Sequence, residues 1–228
     1  TPSNPVLRRT AIDAIAAAAH KAGALVVAAT TVLTPAGHSP PELGADIVLH
    51  STTKYINGHS DVVGGAVVAK DPELVEELAW WANCLGITGS PFDSFQTMRG
   101  LRTLNVRYRQ HEENAAAVVE FLEGHPRVEK VYYPGLASHP GHDVAARQQK
   151  SFGAMISFEL KGDESAVPSF LEQLQLFTLA ESLGGVESLV AHPCTMTHAA
   201  MAAEDHAAAG LSSRLLRLSI GIEHAGDL

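Results

Sequence analysis

Ala45-Asp46-Ile47-Val48-Leu49 is a short apolar run that passes without a break into His50-Ser51-Thr52-Thr53-Lys54-Tyr55-Ile56-Asn57-Gly58-His59-Ser60-Asp61. The first part has the length and composition of a buried strand in a parallel sheet. The second sets one lysine among hydroxyls, just ahead of a glycine turn. That succession belongs to an open α/β sheet, because such sheets hold ligands beyond the carboxyl ends of their strands. An amine in covalent contact with an aldehyde must be partly neutral, and burial with nearby positive charge achieves this by lowering its pKa. Lys54 is the candidate. If the segment is extended, side chains alternate, so Ser51 and Thr53 offer hydroxyl donors from one face while Thr52 points away. A solvated loop lysine is the bland alternative, and the ordered surroundings favour the functional reading.

The rest of the chain alternates in the same manner. Leu7 to Lys21 is alanine-rich with helical periodicity and stops at Gly23, a natural left-handed terminus. An apolar strand is expected over Ala24 to Thr30, another over Asp61 to Lys70 with Gly64-Gly65 inside it, and a helix from about Pro72 to Cys84. Phe92 to Glu123 reads as one long helical stretch. Beyond it, Val128–Tyr133, Ala154–Leu160 and Leu215–Ile220 read as strands separated by helical segments. The order implies an α/β protein with a mostly parallel sheet followed by a smaller α/β unit. The division expected is residues 1–105 for part of a large ligand-binding domain and 106–228 for a small C-terminal domain.

Composition excludes more than it selects. A formal charge of −9 argues against nucleic acid, which needs clustered Lys and Arg. No apolar stretch approaches a membrane span and no charged-then-apolar leader opens the sequence, so a soluble protein is expected. Cys84 and Cys194 lack paired spacing, which suits a reducing cytoplasm and small core positions. The twelve histidines include only two close groupings, His139 with His142 and His192 with His198. Neither has zinc-ligand spacing, and loop or capping roles are expected.

The lysine run resembles the corresponding segment of the Cys/Met-metabolism family of pyridoxal phosphate enzymes, the group of cystathionine gamma-synthase, cystathionine lyases and methionine gamma-lyase. Further segments are similar to the family in its own order: Thr1-Pro2-Ser3-Asn4-Pro5, Leu78-Ala79-Trp80-Trp81-Ala82-Asn83, Arg99-Gly100-Leu101-Arg102-Thr103-Leu104, Ala180 to Ser188, and Leu216 to Glu223. With Thr195-Met196-Thr197-His198-Ala199 added, the chain resembles the synthase branch most. The resemblance implies the aspartate aminotransferase-like fold, fold type I, and pyridoxal 5'-phosphate as cofactor. Its implied partners are amino acids: an activated homoserine, cysteine or cystathionine. Homo-oligomers built as dimers of dimers are implied too. It also implies a region upstream of Thr1 and a terminal helix beyond Leu228.

By motif position, Lys54 resembles the lysine that carries the cofactor, while Ser51, Thr53 and Thr31 resemble residues around its phosphate and ring. Asn4 resembles the asparagine that meets the cofactor's phenolic oxygen. A helix cap before Pro5 is the competing reading. Arg217 lies mid-strand in an apolar run and resembles the arginine that grips the substrate carboxylate, with a structural ion pair as its alternative. Ser182 resembles a hydroxyl near Lys54, and Glu181 a residue facing the distal end of the amino acid. One position departs from the pattern. Family members carry an Asp against the pyridine nitrogen where this chain has Ala29, leaving Thr30 or Thr31 to offer a hydroxyl instead. A charge-assisted hydrogen bond contributes about 1.5–3 kcal/mol, so the substitution bears on activity. The expected function is gamma-replacement on an activated homoserine with cysteine. Gamma- or beta-elimination is one alternative, and a catalytically impaired homologue the other.

Overall fold

The computed structural model describes residues 2–201 and 203–228, so Thr1, which opens the first family-like segment, lies outside the described residues. Helix α1, Ile12–Lys21, is shorter than the periodicity predicts. Leu7 sits at φ 57 in a turn closed by hydrogen bonds between Ser3 and both Leu7 and Arg8, which keeps the first residues out of the helix. At the other end Gly23 is at φ 73 and donates to His20 O, as its position implied. Strand β1 is confined to Val27–Ala29, and the short helix α2, Thr34–Gly37, follows it. Strands β2, Ile47–Ser51, and β3, Gly65–Ala69, complete a sheet of order β1-β2-β3.

β2 pairs parallel with β1 and antiparallel with β3. The sheet is therefore mixed, because the segment between β2 and β3 folds back as turns instead of crossing over as a helix. One face packs on α1, where Ile12 and Ala16 meet Val26, Ala28, Ala45 and Val48. The other is open: Val27 is 54% exposed, Leu49 39% and Val67 52%. The strand before the lysine is thus covered on one side in this chain, not on both.

Helix α3, Pro72–Leu85, begins at an Asp71 cap that accepts from Glu73 N, and α4, Pro91–Arg102, at a Ser90 cap that accepts from Asp93 N. Cys84 on α3 is exposed, contrary to the core position expected for it. The long helical stretch breaks at Thr103, after which α5 runs over Leu104–Gly124. Its inward residues Tyr108, His111, Ala115, Val118, Val119 and Leu122 recur every three or four positions. We propose the passage between the two domains at the start of this helix, near residue 105.

The second sheet comprises β4, Val128–Tyr132, β5, Met155–Leu160, β6, Thr178–Leu179, β7, Leu189–Ala191, and β8, Leu215–Ser219. Helices α6, His142–Gln148, α7, Ala166–Leu171, and α8, Ala203–Ala209, lie between them. The order is β4-β5-β8-β7-β6, antiparallel except for the β6–β7 pair. Sequence periodicity missed β6 and β7, which are too short to show alternation. Every residue of β8 is buried. Leu216 and Leu218 join Ile156, Phe158, Val118 and Val119 in the main core, and the alternation of the strand puts the one charged member, Arg217, on the opposite face with Leu215 and Ser219.

Candidate functional site

β1 and β2 run parallel, so Ala29 and Ser51 end at the same edge of the sheet. Thr31 Oγ1 accepts from Ser51 N at 2.8 Å and ties the two strand ends together. The chain then leaves the sheet in consecutive turns, closed by Asn57 N to Thr52 O at 3.0 Å and Gly58 N to Lys54 O at 2.8 Å. The strand stops at Ser51, so Thr52 and Thr53 lie in turns and not in the extended segment that the expected alternation assumed. Thr52 is buried, while the Thr53 hydroxyl is closed on Gly64, donating to its O at 3.3 Å and accepting from its N at 3.0 Å.

Lys54 is half-buried and its Nζ donates to Ser182 Oγ at 3.1 Å. Burial first, and the positive charge of Arg217 second, hold the amine below the usual lysine range. Arg217, 2% exposed, lies next to it. Its Nη1 donates to Asn4 Oδ1 at 3.2 Å, and its Nη2 to the carbonyls of Glu181 and Ser182 at 2.8 and 2.9 Å. No carboxylate is hydrogen-bonded to Arg217 among the described residues, so the ion-pair alternative is not what holds it. The Glu181 side chain is exposed, though its charge still acts on the guanidinium. Asn4 caps no helix, since α1 starts at Ile12; its amide carbonyl is engaged by Arg217, which leaves the amide nitrogen as a donor.

The structure therefore brings Lys54, Ser182, Glu181, Arg217 and Asn4 together, with Ser51, Thr53 and Thr31 at the adjoining strand ends. A cavity of about 410 Å3 lined by Arg8, Lys130, Tyr132 and Gly141 shares no residue with this cluster. The two histidine groupings serve loop geometry. His139 Nδ1 accepts from Gly141 N, and His192 contacts Thr195 Oγ1 and Ser213 O.

The cluster fits pyridoxal phosphate and an amino acid at two of three points. The lysine amine is partly desolvated and hydroxyl-supported. Arg217 Nε is buried without a hydrogen-bond partner, a donor whose desolvation of about 1–3 kcal/mol a bound carboxylate would offset. The third point is the ring nitrogen. At the position where the resemblance expects a carboxylate for it, Ala29 has only a methyl side chain, and the neighbouring Thr30 is 1% exposed with its Oγ1 3.1 Å from His38 Nδ1. Burial, with the charge of Arg9 contributing less, pushes His38 down to about 4, so it is neutral at pH 7. Thr31 Oγ1 is the acceptor in the bond from Ser51 N, which leaves its hydroxyl proton available as a donor.

Sequence reasoning assigned no role to Tyr55, Arg107 or Ser219. Tyr55 is fully buried beneath Lys54, with its ring at 5.7 Å from Tyr108 and 5.1 Å from His111. Ser219 Oγ accepts from Gly184 N at 2.8 Å, holding the Glu181–Gly185 turn on β8. Arg107 donates to the carbonyl of Tyr55 at 2.9 Å. Tyr55 could have been flagged by its place beside the lysine; the other two carry no local signal.

Comparison with known proteins agrees with this picture. The chain is 58% identical, over its whole length, to a cystathionine gamma-synthase from Escherichia coli and 50% identical to a cystathionine gamma-lyase from Dictyostelium discoideum, covering 59% of each. Among solved structures it superposes with a TM-score of 0.97 and 66% identity on cystathionine gamma synthase from Xanthomonas oryzae pv. oryzae in complex with aminoacrylate and cysteine, covering all of this chain and 59% of that one. The chain thus spans about three fifths of the length of the relatives it matches. The family model for Cys/Met metabolism PLP-dependent enzymes matches residues 1–228, and the chain belongs to that family.

Proposed function

We propose that this chain serves a transsulfuration enzyme of the cystathionine gamma-synthase type, exchanging the γ-substituent of an activated homoserine for the thiol of cysteine. The observation that carries the reading is the Lys54 Nζ–Ser182 Oγ contact at 3.1 Å beside Arg217, whose Nη2 is bound by the same Glu181–Ser182 turn. An amine and a carboxylate-binding cation are thereby held at one place. Pyridoxal phosphate, held by Lys54 with Ser51, Thr53, Thr31 and Asn4 around it, supplies an aldehyde and an electron sink. Arg217 orients the substrate carboxylate through a fork of N–H groups. The Lys54 amine, held below the usual lysine range, takes the Cα proton and then a Cβ proton as the γ-substituent leaves, and returns both once the thiol has added at Cγ, with Ser182 Oγ holding it between the two positions. Glu181, exposed at the rim, faces the distal end of the substrate. Assembly as a homo-oligomer in the cytoplasm belongs to the same proposal.

Mapping the lysine tests the reading. Incubating the protein with pyridoxal phosphate, reducing with borohydride and sequencing the labelled peptide should mark Lys54; label on another lysine would overturn the assignment. The choice of γ-synthase over lyase rests on the two synthases named above, against a γ-lyase at 50% identity. Assaying cystathionine against keto acid with the same substrates separates replacement from elimination. Ala29 supports a second reading, an impaired homologue with a weakened electron sink. Restoring Asp at this position decides whether the missing carboxylate limits activity.

A further inference from the structure

The Arg99–Leu104 segment matches the family and has so far been given no task. Its helix, α4, ends against the loop that carries Lys54. Arg107, one turn into α5, is 5% exposed and reaches back across the junction. Its Nη1 donates to Tyr55 O at 2.9 Å, its Nη2 to Ile56 O at 3.4 Å and Gly100 O at 2.8 Å, and its Nε to Thr103 Oγ1 at 3.1 Å. All its partners are neutral oxygens, two of them carbonyls of the residues immediately after Lys54. Two glycines make room for this. Gly58, at φ 79, lies where a methyl would collide with Arg107 Nη1, and a methyl on Gly100 would collide with Asn57 O. On its far side the same loop accepts Val186 N on Gly58 O at 3.0 Å, from the turn that contains Ser182.

We propose that Arg107 is a positioning residue for Lys54. By binding the carbonyls of Tyr55 and Ile56 it sets where the amine stands relative to Ser182 and Arg217. A buried guanidinium with no carboxylate among its hydrogen-bond partners is costly, and here it is satisfied by three backbone carbonyls and a threonine hydroxyl. Proton transfer and bond formation at one nitrogen tolerate little displacement, and a misplacement of 1 Å can lower a rate about 100-fold. The inference rests on Lys54 being the cofactor-bearing amine.

The test uses the full chain in two measurements. Competitive acetylation across pH, without cofactor, reads the titration of the Lys54 amine; borohydride trapping with pyridoxal phosphate reads its placement. In Arg107→Met, Lys54 acetylation should move to higher pH toward that of an ordinary lysine, and trapping should fall about 10- to 100-fold. Arg107→Lys, whose ammonium reaches fewer of the oxygens, should recover part of both. Should Arg107→Met fail to unfold cooperatively, Gly100→Ala carries the same test, because its methyl pushes the Asn57 carbonyl off α4. Lys54 profiles identical to the parent in whichever of these variants folds would overturn the proposal. Label on a lysine other than Lys54 in the parent defeats the functional reading itself, and is seen before any variant is made.

Discussion

At the scale of single residues, the site is set by which groups are denied water. Arg217 and Lys54 lie side by side, and burial first and the cationic neighbour second hold the amine below the usual lysine range. His38 and His111 are displaced further, each pushed down to about 4 by burial. The sign of their effect on stability follows from linkage. Between pH 6.5 and 4 the unfolded chain binds protons at these rings that the folded chain does not, so stability falls as pH falls through that window. A ring held that far below its ordinary value contributes at most about 3 kcal/mol across it. We expect His38→Gln to flatten the pH dependence of urea unfolding between pH 6.5 and 4, leaving the share of His111; an unchanged slope would show that His38 is protonated in the fold. Ala29 gives a second expectation. Ala29→Asp should tighten cofactor retention roughly 10- to 100-fold, as a charge-assisted hydrogen bond of about 1.5–3 kcal/mol implies, measured by the rate of cofactor loss in dialysis.

At the scale of elements, β8 does what its sequence alone makes improbable. Five consecutive buried positions hold a guanidinium at their centre, tolerated because two turn carbonyls and an asparagine oxygen reach it from other parts of the chain. The strand therefore carries the proposed carboxylate-binding charge and anchors the Glu181–Ser182 turn with the same side chain. Arg217→Lys keeps the charge and loses the fork. We expect KM for the amino-acid substrate to rise by about tenfold or more while Lys54 is still trapped by borohydride; an unchanged KM would place the substrate carboxylate elsewhere. Boundaries at this scale were legible where capping chemistry is local. Asp71-Pro72 and Ser90-Pro91 start helices as such pairs should, and Gly23 ends one. Leu7 and Thr103 were not legible, since neither the left-handed turn closed on Ser3 nor the helix break closed on Gly100 is marked by a glycine or proline at the residue itself.

At the scale of the whole molecule, two mixed sheets are joined through α4 and α5, and the site lies where the edge of the first meets β8 of the second. Besides the open face of the first sheet, α3 and α4 present exposed aromatic side chains: Trp80 is 58% exposed, Trp81 48%, Phe92 70% and Phe95 61%. Exposed apolar surface on this scale favours association. We expect the chain to form oligomers in light scattering, and replacement of Trp80 and Phe95 by Lys to shift it toward monomer. If the double variant associates as strongly as the parent, the contact lies on another face.

The sequence by itself singled out Lys54 as the candidate amine and laid out the longer strands and helices, because these depend on residue type and local spacing: Lys54 among hydroxyls, Ala45–Leu49 ahead of it, Arg217 inside an apolar run; the cofactor class followed from the resemblance to the family. Only the tertiary structure decided what those residues touch. Thr30 turned to His38, Thr53 closed on Gly64, Asn4 met Arg217 across almost the full length of the chain, and Arg107 took hold of the lysine loop from another helix. The physical reason is that hydrogen-bond partners of buried groups are set by which distant segments the core packs together, and desolvation obliges each such group to find one.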